Sequence, residues 1–306
     1  MKEGNKLNLF DDNFLSPRQV ILLIGIVIVI LIAAYLKYVY FNPTNVFKRM
    51  INNTLQTSSY TKTISTIANY QKSQQIVTVE TGSTNRVLDS QTLSLPYSNK
   101  SAISILSIGT PSTDYSKYTR INTGAKNSSG HVINFTPAVG LWGANVVGIG
   151  STSNGVLFNN SVLDIVPIAN VSEEQKQILT KYLNSNKVYD FSNKVKSQSI
   201  NGRPKLTYDV KINLTNLTSY LHLFAKAVGI KLPSDKSEVA NIPTTGTAEL
   251  QFVVDQISSQ LYAIKFPNTP ESYIYSSFGV QPRIDTPKKF ISLNKLEQYI
   301  QSLSTK

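Results

Sequence analysis

The chain has 306 residues, no cysteine, two histidines and a formal net charge of +12. Without cysteine it forms no disulfide and no thiolate metal site, and the scarcity of histidine leaves few of the usual nucleophile–base pairs. The positive charge favours anionic surfaces, either phospholipid headgroups or anionic cell-wall polymers. The lysines are scattered and form no arginine-rich stripe, so we do not expect nucleic acid as a partner.

The first predicted element is an uncharged apolar run from Val20 to Leu36. As a helix it spans roughly 25 Å, and the tyrosines after it provide an aromatic belt at the edge of the hydrocarbon core. The run has no polar face, which argues against a buried core helix. A cleaved signal peptide is the other alternative, but the run is long for one and no A-x-A-like cleavage site follows. We therefore predict an uncleaved transmembrane helix over residues 19–41.

The orientation of this helix is predicted from what lies on its two sides. The nearby lysines and arginines are balanced and do not decide it. Residues 1–18 form a short polar segment, whereas residues 42–306 are rich in Ser, Thr and Asn, as in secreted bacterial surface proteins. We predict a cytoplasmic tail over residues 1–18, a single-pass anchor in the cell membrane and an extracytoplasmic domain over residues 42–306.

The first part of the domain is predicted to form one helix followed by strands. A helix is predicted to begin at Pro43, a residue favoured in the first helical turn. Its apolar side chains recur at helical spacing, at Val46, Phe47, Met50, Ile51 and Leu55. Alternating polar and apolar residues then predict strands. These cover residues 61–70, 74–80, 101–110, 116–122 and 131–137.

A second helix is predicted after Ser172, because Ser172 and Gln175 have the spacing of a capping box. Its predicted apolar stripe consists of Ile178, Leu179, Tyr182 and Leu183. The dipeptide Asn201-Gly202 between two extended runs predicts a hairpin. The remaining predicted elements are a helix over 216–228, a hairpin of 247–255 with 260–267, and a final helix over 292–303.

These elements predict an α+β fold, in which helices pack on one face of an antiparallel sheet. No βαβ alternation and no glycine-rich phosphate turn supports a parallel nucleotide-binding sheet. Common catalytic and metal-binding motifs are absent: the sequence has no HExxH, no Walker motif and no calcium-loop pattern. We therefore predict a protein that is not an enzyme, with no cofactor and no metal.

The stretch from Ile200 to Phe266 adds a resemblance to a known family. There INGRPKLTYDVKINLTNL leads into a helix, and the hairpin AELQFVVDQISSQLYAIKF follows. This order resembles the extracytoplasmic lipoprotein-carrier superfamily of the LolA and LppX/LprG families. The resemblance implies a strongly curved half-barrel covered by helices, whose apolar concavity holds acyl chains. The chain departs from those families in its transmembrane anchor, which replaces a lipidated cysteine, and in an insertion-like stretch over about 123–171.

The candidate binding residues lie within that stretch, in residues 136–158. This segment combines five glycines with large apolar side chains and holds the single tryptophan. Glycine gives the backbone freedom, whereas the apolar side chains favour burial. A mobile apolar flap at a ligand site fits this composition, and an irregular part of the core is the alternative. The candidate ligand-binding residues are Leu141, Trp142, Val146, Val147 and Ile149.

Two functional interpretations stay open from the sequence. In the first, a membrane-anchored binding protein holds a lipid or another acyl-bearing ligand outside the membrane. In the second, a structural or interaction protein of the cell envelope contacts anionic cell-wall polymer or a protein partner and has no ligand cavity. A continuous cavity between sheet and helices favours the first interpretation.

Overall fold

The structure is a computed structural model that describes residues 17–68, 71–82, 84–95, 101–146, 155–192, 195–230, 232, 244–267, 269–280, 282 and 284–304. Helix α1 (Pro17–Tyr35) continues into a π-helical segment (Leu36–Tyr40). Within the described residues, one helical stretch is long and apolar enough to cross a membrane, Ile21–Tyr40. Its side chains contact little of the rest of the chain and are mostly exposed.

In the part of the chain that the structure describes, five further helices and thirteen strands follow. The helices are α2 (Pro43–Thr54), α3 (Val156–Val162), α4 (Glu173–Ser185), α5 (Leu214–Ala227) and α6 (Leu293–Ser304), with a 3-10 turn at Thr136–Ala138. The strands are β1 (Ser59–Ala68), β2 (Gln71–Glu80), β3 (Arg86–Ser94), β4 (Ala102–Gly109), β5 (Thr113–Asn122), β6 (Gly143–Val146), β7 (Tyr189–Phe191), β8 (Lys196–Ile200), β9 (Arg203–Asn213), β10 (Thr247–Asp255), β11 (Leu261–Lys265), β12 (Ser272–Ser276) and β13 (Ile291–Ser292).

Local sequence signals fix several of these helix ends. At the start of α2, the Asn42 side chain accepts a hydrogen bond from the Thr44 amide at 3.0 Å, and the five apolar residues predicted for this helix are all buried. The capping box of α4 forms in both directions between Ser172 and Gln175. Helix α5 is followed by Gly229 at a φ of 72°, a conformation that glycine adopts without strain. The predicted start of a helix at Pro43 and the predicted capping box are confirmed.

The strands form one open, curved sheet in the order β13-β6-β5-β4-β3-β2-β1-β12-β11-β10-β9-β7, with β8 beside β7 on β9. Its pairings are antiparallel, apart from the parallel pair β13–β6. The predicted β8–β9 hairpin turns at Asn201 and Gly202, whose φ values of 52° and 73° are those of a two-residue hairpin turn with positive φ at both positions. The predicted α+β class is confirmed.

Two local predictions are wrong. Residues 131–137 form no strand beyond one isolated bridge between Lys126 and Val132. Their chain bends instead into the 3-10 turn, where Asn134 accepts a hydrogen bond from the Thr136 amide and Pro137 has no amide hydrogen to give a neighbouring strand. In α4, Ile178 does not join the buried stripe, because 54% of it is exposed.

Helices α2–α6 pack on one face of the sheet, here called the inner face. In the closed half (β9–β12 with α2, α4 and α5), aromatic rings fill the space between helices and strands. The ring of Phe47 on α2 lies 5.2 Å from that of Tyr208 and 6.2 Å from that of Phe252. All three side chains belong to the buried core. The open half (β1–β6 with α3 and α6) is covered less completely, since α3 has 7 residues.

Candidate functional site: a cleft on the inner face of the open half

A cleft of about 500 Å³ lies between the inner face of the open half and helices α3 and α6. Strand side chains form its floor, and α3 and the start of α6 form its walls. The lining residues are Lys62, Ile64, Gln75, Val77, Ser107, Asp114, Ser116, Asn145, Val156, Leu157, Asn160, Ser161 and Leu293. The cleft therefore offers both hydrogen-bonding groups and aliphatic side chains to a ligand.

The polar floor follows from the register of the strands. Val77 lies opposite Asp89, Asp89 opposite Ser107, and Ser107 opposite Ser116, so these residues form one row across four strands. Because alternate residues of a strand point to the same face, this row shares the inner face with the other cleft residues. The Ser107 and Ser116 hydroxyls are 2.8 Å apart and hydrogen-bond with each other.

A buried ion pair closes the end of the cleft toward β12. Lys62 Nζ of β1 lies 2.7 Å from Asp164 Oδ2, and the two side chains are 8% and 11% exposed. The Tyr275 hydroxyl also donates to Asp164 Oδ2 at 3.4 Å, and the Ile165 amide donates to Oδ1 at 2.7 Å. Burial, with the charge of Asp164, raises the pKa of Tyr275 well above its ordinary value, so this hydroxyl stays protonated. Asp164 thus ties the chain that follows α3 to the sheet.

Asp89 lies in the row of polar floor residues and is buried. Its Oδ2 accepts a hydrogen bond from Gln75 Nε2 at 3.0 Å, whereas Oδ1 has no protein partner. Burial raises the pKa of the Asp89 carboxyl, and the hydrogen bond from Gln75 and the charge of Lys62 offset part of that rise. The Oδ1 atom is therefore an unpaired acceptor that is buried beside the cleft floor.

Asp114 of β5 contacts the first turn of α3. Its Oδ2 accepts hydrogen bonds from the amides of Val156 at 2.9 Å and Leu157 at 3.3 Å, which have no partner within the helix. Burial raises the pKa of the Asp114 carboxyl, partly offset by these two bonds, and Oδ1 has no partner. The carboxylate therefore fixes α3 over the cleft and leaves a second acceptor beside it.

Gly109 lets α3 approach the sheet closely. A Cβ built on Gly109 of β4 would lie 2.9 Å from the Phe158 amide nitrogen and 3.0 Å from the Leu157 Cβ. Both contacts are closer than side chains normally allow, so a larger residue at this position would push α3 away from the floor of the cleft.

The sequence-predicted binding residues lie away from this cleft where the structure describes them. Trp142 precedes β6 and is half-buried, with Lys117 Nζ 4.6 Å from the centre of its ring. Lys117 points to the face opposite Ser116, so this pair lies on the outer face of the sheet. Leu141 is 41% exposed. The side chain of Val146, together with Val147 and Ile149, lies outside the described residues, and the binding role of all five stays a prediction.

Sequence reasoning missed the residues that form the cleft floor. Lys62 carried the clearest signal, because it interrupts the apolar face of β1 between Tyr60 and Ile64. A lysine on the buried face of a strand requires a partner. That partner, Asp164, is 102 residues further along the chain, and no local pattern identifies it.

Comparison with known proteins found a similarity among solved structures, and none among family models or curated proteins. Among solved structures, the crystal structure of LprF from Mycobacterium bovis is similar, with a TM-score of 0.41 and 9% sequence identity over 79% of this chain and 95% of that chain. This similarity concerns the path of the backbone alone.

Proposed function

We propose that this chain is a membrane-anchored, extracytoplasmic binding protein that holds an amphipathic, acyl-bearing ligand in the cleft of the open half, without catalysing a reaction. The observation that carries this proposal is the cleft itself. Its volume of about 500 Å³ is within the range of small-molecule sites. Its lining mixes aliphatic side chains with amide, hydroxyl and carboxylate groups, which suits a ligand with an apolar and a polar part.

The apolar helix supports the location of this activity. The stretch Ile21–Tyr40 is apolar and mostly exposed, so a bilayer is the environment that would bury it. An anchored protein whose cleft lies outside the membrane is suited to take up a ligand from the bilayer surface or to deliver one to it.

The chemistry of the cleft floor supports binding over catalysis. The hydroxyls of Ser107 and Ser116 bond with each other, and Lys62 pairs with Asp164, so these side chains do not form a serine–lysine dyad. The described residues hold no group of three or more His, Cys, Asp or Glu side chains that could bind a metal ion. The polar groups of the floor are arranged to hydrogen-bond a ligand.

The proposal is tested by filling the cleft. In Ser107→Phe, a ring replaces a hydroxymethyl group on the cleft floor, and in the matched control Ser90→Phe the same ring lies on the exposed outer face of the neighbouring strand β3. The full chain would be incorporated into nanodiscs and titrated with an acyl-labelled fluorescent phosphatidylglycerol. We expect Ser107→Phe to weaken probe binding by about tenfold or more, as for the loss of a buried contact surface, and Ser90→Phe to bind like the wild type.

The outcomes separate the two functional interpretations. Equal binding by wild type and Ser107→Phe would place the probe elsewhere and contradict the proposal, provided that a cooperative thermal unfolding transition shows both proteins to be folded. Extraction of wild-type protein purified from cells, followed by mass spectrometry, then identifies the natural ligand. A folded wild type that yields no lipid and binds no probe would instead favour an envelope protein that contacts anionic polymer.

A further inference from the structure

The end of the apolar helix is tied to the turn between β10 and β11. The Tyr40 hydroxyl donates to the Ile257 carbonyl at 3.2 Å. Arg49 of α2 donates to the Tyr40 carbonyl at 2.6 Å and to Ser259 Oγ at 3.1 Å, and its guanidinium lies 4.0 Å from the centre of the Tyr40 ring. These contacts place the β10–β11 turn at the level where the helix leaves its apolar stretch.

The turn is held in one conformation. Asp255 Oδ1 accepts hydrogen bonds from the amides of Ile257 at 3.0 Å and Ser258 at 2.8 Å. Asn53 of α2 donates to the carbonyls of Ser258 and Ser259 at 3.1 and 3.0 Å. Despite this tight bonding, the apolar side chain of Ile257 is 49% exposed. The turn therefore presents an apolar side chain on a fixed support.

Basic side chains lie at this turn. Arg49, Arg203 and Lys205 carry three positive charges, and Asp255, which pairs with Lys205 at 2.7 Å and Arg203 at 3.0 Å, carries one negative charge. The Arg203 side chain is 55% exposed and can reach solvent beside the turn. The end of the apolar helix thus combines an apolar side chain, an aromatic ring and an excess of positive charge. These features favour the interface of an anionic bilayer.

We propose that the β10–β11 turn is a second membrane-contact site, in which Ile257 enters the headgroup–acyl boundary of the same bilayer that α1 crosses and Arg203 meets anionic headgroups. This inference rests on the proposed anchoring by α1. Together, the helix and the turn form a two-point attachment that sets the tilt of the domain, and with it the direction in which the cleft opens relative to the membrane.

The absence of cysteine from the sequence makes a direct test possible. Single-cysteine variants of the full chain would carry an environment-sensitive fluorophore at Ile257→Cys, at Ile28→Cys within α1, or at Val132→Cys. Val132 is 64% exposed and follows β5, far from β10 in the order of strands. Nanodiscs of phosphatidylcholine and phosphatidylglycerol would be prepared with and without a quencher, a mixture of two phospholipids that carry a nitroxide near the start and near the end of the acyl chain.

We expect the quencher to remove about half or more of the emission at Ile28 and Ile257, which lie within the bilayer or its boundary, and little of that at Val132. A second label at the exposed Gln260, in the same turn, should behave like that at Ile257 if substitution of Ile257 disturbs the turn. Quenching at Ile28 with Ile257 and Gln260 no different from Val132 would overturn the inference and leave the anchor intact. Absence of quenching at Ile28 would remove the anchor, and the two-point attachment with it.

Discussion

The closed half and the open half use similar antiparallel strands but bury them differently. In the closed half, large rings such as Phe252 and Tyr208 extend from the inner face and pack against Phe47 of α2. In the open half, the row across the inner face consists of small or polar residues, among them Ser107 and Ser116, beneath a helix of 7 residues. Side-chain volume and helix length, rather than the backbone of the sheet, decide which part becomes core and which becomes cleft.

The largest expected effect comes from the ion pair beside the cleft. Lys62→Met leaves the Asp164 carboxylate buried without its cation, which should reduce the free energy of unfolding by about 3–5 kcal/mol. The matched change Lys176→Met breaks a pair with Glu173, whose side chain is 61% exposed, and should cost about 0–1 kcal/mol. Thermal and denaturant unfolding of the full chain in detergent micelles would measure both. Similar losses for the two variants would show that the cleft floor is wetter than its burial indicates.

A pair of isoleucines compares the two halves directly. Ile264 of β11 is 0% exposed in the closed half, and Ile105 of β4 is half-buried on the inner face of the open half. Ile264→Ala should cost about 3 kcal/mol, because a fully packed site leaves a cavity. Ile105→Ala should cost about 1 kcal/mol, as for a residue that already faces open space. Equal losses in denaturant unfolding would mean that the open half is packed as tightly as the closed half.

The smallest expected effect concerns the pH dependence of stability. Burial raises the pKa of Asp89 in the folded state, so the folded chain binds this proton more readily than the unfolded chain does. The ionised carboxylate therefore lowers stability above its folded pKa, and that loss is relieved as the pH falls toward the unfolded value. Asp89→Asn should raise the melting temperature at pH 7 by no more than about 2–4 °C, and the gain should shrink toward pH 4. A gain that is constant between pH 7 and pH 4 would show that Asp89 has no raised pKa.

The sequence predicts this fold best where a few adjacent residues decide the structure. Pro43, the capping box of Ser172 and Gln175, and the Asn201-Gly202 turn each act within one turn of the chain, and each is found as predicted. Strand β3 was missed because Asp89 and Gln91 occupy its inner face, where the alternation rule requires apolar residues. The polar residues that hide this strand from the pattern are those that line the open half.

The candidate site was predicted less well, because it is assembled from distant segments. Asp89 of β3 and Asp114 of β5 are brought to one face through their common neighbour β4, and Asp164 comes from the chain after α3. The sequence instead drew attention to the tryptophan-containing segment, whose composition is unusual. An unusual composition identifies one segment of the chain, whereas the cleft is formed by residues of ordinary composition from several segments.

The strand order also has a consequence for how the chain acquires its structure. Strands β1 to β5 pair with their neighbours in sequence, so these contacts can form as the chain emerges during synthesis. The other edge of β1 cannot pair until β12 has been synthesised, because Thr61 pairs with Ser276, about 200 residues later. Until then β1 presents an unpaired edge, a hazard for association between chains. Folding of this protein should therefore be limited by the arrival of its last segments, and truncation near the C-terminus should be more harmful than the small size of β12 and β13 suggests.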